Sequence, residues 1–401
     1  MVTGGSAGVG RATAELLARR GYDVAVMARG GAGLAGAVED IERQGRRGLG
    51  LDVDVSDDKA VQEAVERCEI ELGEIDAWVN DAFGGTLAFS WDTSIEEFRR
   101  VMDVTFFGQV HGTLTALSLM RPRDRGVIVN VGSAMAVRSI PLQAPYCAAK
   151  HAVKGFSESV ITELAQEKSK VRVCMVQLPG LNTPQFDGNL SKMPDRPVPM
   201  RPIYEPEVAA RAIAHLLEHP RRNFWVGVPS AMTILGERVA PKLPDGCLGR
   251  SGVKSQQSGR TTPRRGPNLW EPQDESADTG ARGAFSQRAH RHDPVLWAAL
   301  HRTGVIGGLV AAGVATGGRR GWVRATTATY PPEPATRRAS TRTSARVGCG
   351  PCGPPACCGR APRSALGLVG LGDDVHHDGE RAAVRALGEL DEHPAAEWHA
   401  D

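Results

Sequence analysis

The stretch TGGSAGVGR, residues 3–11, decides the fold of this chain. Its glycines let the backbone turn tightly and approach a phosphate closely. The helical run ATAELLARRGY (12–22) follows, and a helix N-terminus supplies free N–H groups and a positive dipole end. The spacing TGxxxGxG differs from the GxGxxG fingerprint, so the turn alone is weak support for a dinucleotide site. Its candidate nucleotide-binding residues are Gly4, Ser6, Gly8, Val9 and Gly10.

Apolar strand-like runs alternate with helical patterns after this turn. The runs are VAVMA (24–28), GLGLDVD (48–54), IDAWVNDAFGG (75–85), VIVNVGS (127–133), VRVCMVQL (171–178) and FWVGV (224–228). Such alternation predicts an α/β fold with a doubly wound, mostly parallel, Rossmann-like sheet. We expect one domain over residues 1–250, in which the long segment 182–204 shapes the substrate site.

Arg29 directly follows the second run and bears on the choice of nucleotide. In nucleotide-binding βαβ units an acidic residue at this point binds the ribose hydroxyls of NAD, whereas an arginine suits the 2′-phosphate of NADP. We therefore expect NADP as the cofactor, with NAD less favoured. A solvated surface arginine is the alternative interpretation.

Chemistry is concentrated in SAMAVRSIPLQAPYCAAK, residues 133–150. Tyr146 and Lys150 are four residues apart and share one helix face. An ammonium beside a phenol favours the phenolate, so we expect a lowered Tyr146 pKa and a role in proton transfer. Ser133 ends an apolar strand, where its hydroxyl points into the crevice that binds ligands. A chance pair on an ordinary helix is the alternative for this motif alone.

Taken together and in order, these motifs make residues 3–250 resemble the single-domain short-chain dehydrogenases/reductases. The matching residues are Thr3-Gly4-xxx-Gly8-x-Gly10, Asp54-Val55, Asn80, Ser133, Tyr146-xxx-Lys150, Pro179-Gly180 and Thr183. Each motif is weak alone, but the ordered set is specific.

The resemblance implies a role for each matched residue. Tyr146 would be the general acid/base, Ser133 would hold the substrate oxygen, and Lys150 would bind the nicotinamide ribose. Asp54 and Val55 would contact adenine, and Thr183 would steady the carboxamide. Asn80, Pro179 and Gly180 belong to the cofactor-binding set, and no metal is expected. The implied activity is hydride transfer between nicotinamide and a carbonyl/alcohol pair.

Two departures from the family pattern leave a second function open. Asn80-Asp81-Ala82-Phe83 places a ring where the family has glycine, and Thr105 stands where the family has a proton-relay asparagine. Thr105 is thus included among the catalytic candidates, with relay efficiency in doubt. Thr105 and the tail favour the alternative, a catalytically weakened nucleotide-binding regulator or scaffold. Nucleic-acid binding through the Arg-rich tail rests on charge alone and ranks third.

Beyond residue 250 the helix–strand rhythm stops. Residues 251–320 are interpreted as a polar extension, linker-like or lightly ordered, and residues 321–401 as a disordered tail. The apolar segment 304–318 is short of the ~20 residues that a spanning helix needs, so membrane association through it is the less favoured alternative. A CxxC at Cys349–Cys352 and a zinc site with Cys357, Cys358, His376 and His377 are disfavoured because neither has supporting spacing.

Composition and the chain start complete the expectations. A net charge of +2 implies no strong polyelectrolyte partner, and scattered cysteines with no signal peptide suit the cytoplasm. Expected partners are a small carbonyl or alcohol substrate and further copies of the chain. Only Met1 and Val2 precede Thr3, where the family has a longer apolar strand in mid-sheet. We therefore expect the natural protein to begin several residues upstream.

Overall fold

A computed structural model of the chain describes residues 1–260 and 267–301. The strands are, in chain order, β1 (Val2–Thr3), β2 (Val24–Ala28), β3 (Gly48–Asp52), β4 (Ala77–Asn80), β5 (Thr86–Leu87), β6 (Val127–Ser133), β7 (Arg172–Leu178), β8 (Leu190–Ser191), β9 (Ile203–Tyr204), β10 (Asn223–Trp225) and β11 (Ala289–His290). Seven of them form one sheet in the order β10-β7-β6-β4-β1-β2-β3. Every pairing in this sheet is parallel, so the predicted doubly wound α/β fold is confirmed.

Helices cover both faces of the sheet. They are α1 (Gly8–Arg19), α2 (Gly31–Glu42), α3 (Asp58–Leu72), α4 (Ile95–Met102), α5 (Gly108–Arg123), α6 (Ala144–Gln166), α7 (Gln185–Gly188), α8 (Pro206–Glu218), α9 (Val228–Val239), α10 (Lys242–Ser251) and α11 (Pro294–Leu300). A wider π-helical turn, Asp103–Phe107, joins α4 to α5. One apolar cluster packs α1, α2 and α8 on the sheet, and a second cluster packs α3, α5 and α6 on the other face.

The central strand β1 is short but fully integrated. Val2 is buried between Val26 of β2 and Val79 of β4, and Thr3 pairs with Met27 and Asn80. The backbone therefore leaves the sheet at Gly4 with partners on both sides. Whether the strand continues upstream stays a prediction.

Residues 267–301 pack on the domain, which differs from the lightly ordered extension inferred from composition. Leu269 and Leu296 are 1% and 2% exposed, and β11 pairs with β9. The hydrogen bonds of this segment to Arg29 and Arg100 join residues far apart in sequence, so the local pattern did not reveal this packing.

Within residues 1–260 and 267–301, no helix is long and apolar enough to cross a membrane. The segment 304–318, the Cys349–Cys352 motif and the other tail candidates for zinc lie outside the described residues.

Candidate active site

A cavity of about 290 Å³ lies where the central parallel strands end. It brings together most of the residues singled out from the sequence, although they come from turns far apart in the chain. Those lining it are Gly4, Ser6, Gly8, Val9, Arg29, Asp54, Val55, Ser133, Tyr146, Lys150, Pro179, Gly180 and Thr183. The carboxyl ends of parallel strands are where open α/β sheets bind ligands.

Ser133, Tyr146 and Lys150 meet on one side of this cavity. Ser133 is the last residue of β6, and its Oγ accepts a hydrogen bond from Met135 N at 3.2 Å. Lys150 is 2% exposed, donates to Val131 O at 2.6 Å, and holds its Nζ 5.7 Å from the centroid of the Tyr146 ring. Ser133 lies close enough to the Tyr146 phenol to lower its pKa.

The Tyr146 pKa differs from the sequence-based expectation. Burial raises the pKa of the phenol above its ordinary value, and Ser133 only partly opposes this shift. Proximity to Lys150 was expected to lower the pKa, but this ammonium donates to the Val131 carbonyl instead. Tyr146 therefore holds its proton at neutral pH in this structure.

Asp81 is a charged residue of the cavity that the sequence reasoning missed. Burial raises its pKa to about 7, while the Lys150 ammonium opposes that shift. Burial likewise lowers the pKa of Lys150 to about 8, opposed by the Asp81 carboxylate. The two groups thus support each other's charged forms beside Tyr146. The departure from the family pattern at Asp81-Ala82-Phe83 was the available signal, and Phe83 packs edge-on to the Tyr146 ring at 5.9 Å.

The glycine turn lines the other side of the cavity, where Gly4 N donates to Met27 O at 2.7 Å and Gly8 N donates to Gly280 O at 3.2 Å. Gly4 and Gly8 have φ values of +69° and +60°, and a Cβ at Gly4 would lie 2.8 Å from Ala82 N. Ala7, the N-cap of α1, provides no side-chain cap, so the first turn of this helix needs other acceptors. Across the cavity, the buried hydroxyl of Thr183 has no hydrogen-bond partner among the described residues.

Residues 268–283, which we call the strap, cross the cavity at the N-terminal ends of α1 and α2. Arg29 donates to Trp270 O at 2.7 Å and to Asn268 O at 2.8 Å. Several strap residues also line the cavity: Asn268, Pro272, Gln273, Asp274 and Thr279. The part of the cavity beside Arg29 is therefore built from two segments about 240 residues apart in sequence.

Comparison with known proteins identifies the family. The family model described as short chain dehydrogenase matches residues 1–193. A 3-oxoacyl-[acyl-carrier-protein] reductase of Bos taurus is 32% identical over 219 residues, which cover 55% of this chain and 90% of that protein. The chain belongs to the short-chain dehydrogenase/reductase family. It is thus a member of a family of oxidoreductases.

A second relative aligns with a larger part of this dehydrogenase/reductase. The uncharacterized oxidoreductase YxnA of Bacillus subtilis is 29% identical over 315 residues, covering 78% of this chain and 88% of YxnA. Because 315 residues exceed the 250 before the extension, this similarity reaches into the extension. A crystal structure of a short chain dehydrogenase from Bacillus anthracis, 21% identical, shares the fold with a TM-score of 0.50, covering 56% of this chain and 92% of that one.

Three predicted site residues of this dehydrogenase/reductase lie outside the cavity lining. Thr105, expected among the catalytic residues, is fully buried, and its hydroxyl accepts from Gly84 N at 2.8 Å and donates to Gly84 O at 2.9 Å. The geometry therefore gives Thr105 a backbone-holding role. Gly10 packs against the Gly4 carbonyl, where any Cβ would clash.

Asn80, expected among the cofactor-binding residues, is also fully buried and bonded within the fold. Its Oδ1 accepts from Trp78 Nε1 at 2.7 Å, and its Nδ2 donates to Asn130 Oδ1 at 2.8 Å and to Thr113 Oγ1 at 3.0 Å. The next residue, Asp81, follows β4 and lines the cavity instead.

We expect Asn80→Ala to lower the free energy of unfolding by about 2–4 kcal/mol, because buried partners such as Trp78 Nε1 lose their hydrogen bonds. Urea denaturation measures this change. Asn223→Ala is the matched control, since Asn223 lies on an edge strand and its side-chain oxygen has no partner among the described residues. Equal stabilities for the two variants would contradict a structural role for Asn80.

Proposed function

We propose that the chain is an NADP(H)-dependent oxidoreductase that transfers a hydride between nicotinamide and a carbonyl/alcohol substrate, with Tyr146 as the general acid/base. The observation that carries this proposal is the convergence of Ser133, Tyr146 and Lys150 with the glycine turn on one cavity. Membership of the family agrees with it. Two relatives bear reductase names, 3-oxoacyl-[acyl-carrier-protein] reductase and carbonyl reductase family member 4.

The residues present fit a pyridine nucleotide. The uncapped first turn of α1 and the close approach of Gly4 to Ala82 suit a pyrophosphate. The orphaned Thr183 hydroxyl faces the same cavity and is available for a carboxamide. Arg29 would take the 2′-phosphate, which is the basis for proposing NADP over NAD.

A bound nicotinamide supplies the hydride. For reduction of a carbonyl, the Tyr146 O–H bond breaks and its proton goes to the substrate oxygen, which becomes the hydroxyl of the alcohol. Ser133 orients that oxygen, and the Lys150 ammonium stabilises the phenolate left on Tyr146 until solvent reprotonates it. A phenol that holds its proton at neutral pH is suited to carbonyl reduction, because it can donate that proton to the substrate oxygen.

The substrate end of the cavity has an apolar character. Phe83 packs edge-on to Tyr146, and Met135, Leu181, Val198 and Met200 also line the cavity. We therefore propose a partly apolar carbonyl substrate. The weakened-regulator alternative rested on Thr105, which lies outside the cavity lining, and on the tail, which lies outside the described residues.

Tyr146→Phe is expected to lower kcat by about 10²–10⁴-fold, because the ring keeps its packing but no longer carries a proton. The assay follows NADPH oxidation with a panel of aldehydes and ketones. NADPH affinity should stay near the wild-type value. Wild-type turnover in this variant would refute the assignment of the general acid/base.

The pH profile tests the Asp81–Lys150 pair. Asp81 raises the pKa of Lys150, so the neutral amide of Asp81→Asn lets the lysine lose its proton at lower pH. The limb of the kcat/KM profile on which activity falls with rising pH should therefore move to lower pH. Glu63→Gln, at an exposed position on α3, is the charge-matched control. An unmoved limb would show that Lys150 ionisation is independent of Asp81.

For cofactor choice, Arg29→Ala should weaken NADPH binding relative to NADH binding by about 10–100-fold, the worth of one charge-assisted hydrogen bond. Measured dissociation constants for NADPH and NADH give the ratio of the two affinities. Any effect of the substitution that is common to both nucleotides cancels in this ratio. Arg99→Ala, at an exposed position on α4, is the control. An unchanged ratio would remove the argument for NADP.

A further inference from the structure

We propose that the strap is an internal competitor of the nucleotide: it docks on the groups that bind the nucleotide's phosphates, and nucleotide binding requires its release. This inference rests on the proposed function, because it assigns those groups to NADP(H). The strap lies outside residues 1–193, which the family model matches. The similarity to YxnA, over 315 residues, reaches into the extension that contains the strap.

The strap satisfies the first turn of α2. Gly30, the N-cap, supplies no side-chain cap. Gly31 N donates to the Glu275 carboxylate at 2.9 Å, Ala32 N donates to Glu275 O at 3.1 Å, and Gly33 N donates to Asp274 O at 2.9 Å. A carboxylate at a helix N-terminus occupies the kind of position that a phosphate prefers. These three N–H groups are therefore already taken when the strap is docked.

Strap residues also contact three arginines, of which Arg29 lines the cavity. Residues 268–280 contain four carboxylates and no lysine or arginine. Asp278 forms a two-pronged ion pair with Arg11, with both N–O distances at 3.1 Å. Both terminal nitrogens of Arg29 donate to strap carbonyls, and Arg100 donates to Leu269 O at 3.0 Å. The 2′-phosphate therefore finds its proposed arginine occupied.

The pyrophosphate side is partly taken as well. Gly8 N donates to Gly280 O at 3.2 Å. Pro272, Gln273, Asp274 and Thr279 of the strap line the same cavity. The docked strap therefore takes up space beside the groups proposed to bind the phosphates.

The sequence of α2 accommodates the strap at the expense of helix propensity. Glycines at positions 30, 33 and 36 follow one side of this helix. A Cβ at Gly30 or Gly33 would clash with the Asp274 carboxylate, and one at Gly36 would clash with that of Asp278. Glycine inside a helix is less favourable than alanine by about 1 kcal/mol. Docking of the acidic strap explains why all three positions are glycine, since a larger residue would clash with a strap carboxylate.

Competition has a measurable consequence. The apparent affinity of a site that is open for only a fraction of the time is reduced by that fraction. Changes that weaken strap docking, but leave the cavity residues in place, should therefore tighten nucleotide binding. Gly33 and Glu275 suit this purpose because neither lines the cavity.

The experiment measures dissociation constants of NADPH and NADH for the full chain, its Gly33→Ala variant and its Glu275→Gln variant. Gly33→Ala blocks the Asp274 position and improves helix propensity, whereas Glu275→Gln removes charge at an exposed position. Both variants should bind both nucleotides about three- to tenfold more tightly. Controls are Gly236→Ala, with open space around its Cβ, and Glu63→Gln. Unchanged or weaker binding in both variants would overturn the proposal.

Hydrogen exchange of the wild type supplies the second readout. NADPH should accelerate exchange in peptides covering the strap, including Gly283 N, which donates to Asn182 O at 3.1 Å. Slower exchange would mean that the strap closes over the nucleotide as a lid, and would overturn competition. If no folded form binds either nucleotide, the proposed function fails together with this inference. Binding that is indifferent to the strap variants refutes the inference alone.

Discussion

Parallel pairing of seven strands is the constraint on which the rest of this structure depends. A parallel sheet has to be covered on both faces, and here the two apolar clusters do so with helices that return each strand in the same direction. The carboxyl ends of all seven strands consequently lie along one edge of the sheet. Gly4, Asp81 and Pro179 follow three different strands, Ser133 ends a fourth, and all four residues meet at one cavity.

Local sequence patterns predicted the parts of the molecule that local physics determines. VIVNVGS (127–133) coincides with β6, and VAVMA (24–28) coincides with β2. The ordered motifs also indicated most of the residues that line the cavity, because many of them sit at the end of a strand or the start of a helix. Spacing along the chain was sufficient for these features.

The residues misjudged from sequence are those whose roles depend on direction or burial. Asn80 and Asp81 are neighbours, but Asn80 ends β4 inside a buried network, whereas Asp81 follows the strand and lines the cavity. The Tyr146 pKa depends on desolvation, which spacing does not reveal. The strap is hardest to foresee, since the Arg29–Trp270 contact joins residues 241 positions apart. The sequence signals for the strap were its acidic residues and the glycines of α2. They indicate docking only when the two segments are considered together.

The central claim is hydride transfer at the Tyr146 cavity, and isotope transfer tests it most directly. The full chain is incubated with NADPH carrying deuterium at both C4 positions of the nicotinamide and with a panel of aldehydes and ketones. Mass spectrometry then locates the label in the alcohol formed. The account predicts one deuterium on the carbinol carbon of the product, and no such product from the Tyr146→Phe variant beyond a trace. Absence of labelled alcohol across the panel, with the protein folded and NADPH bound, would contradict it.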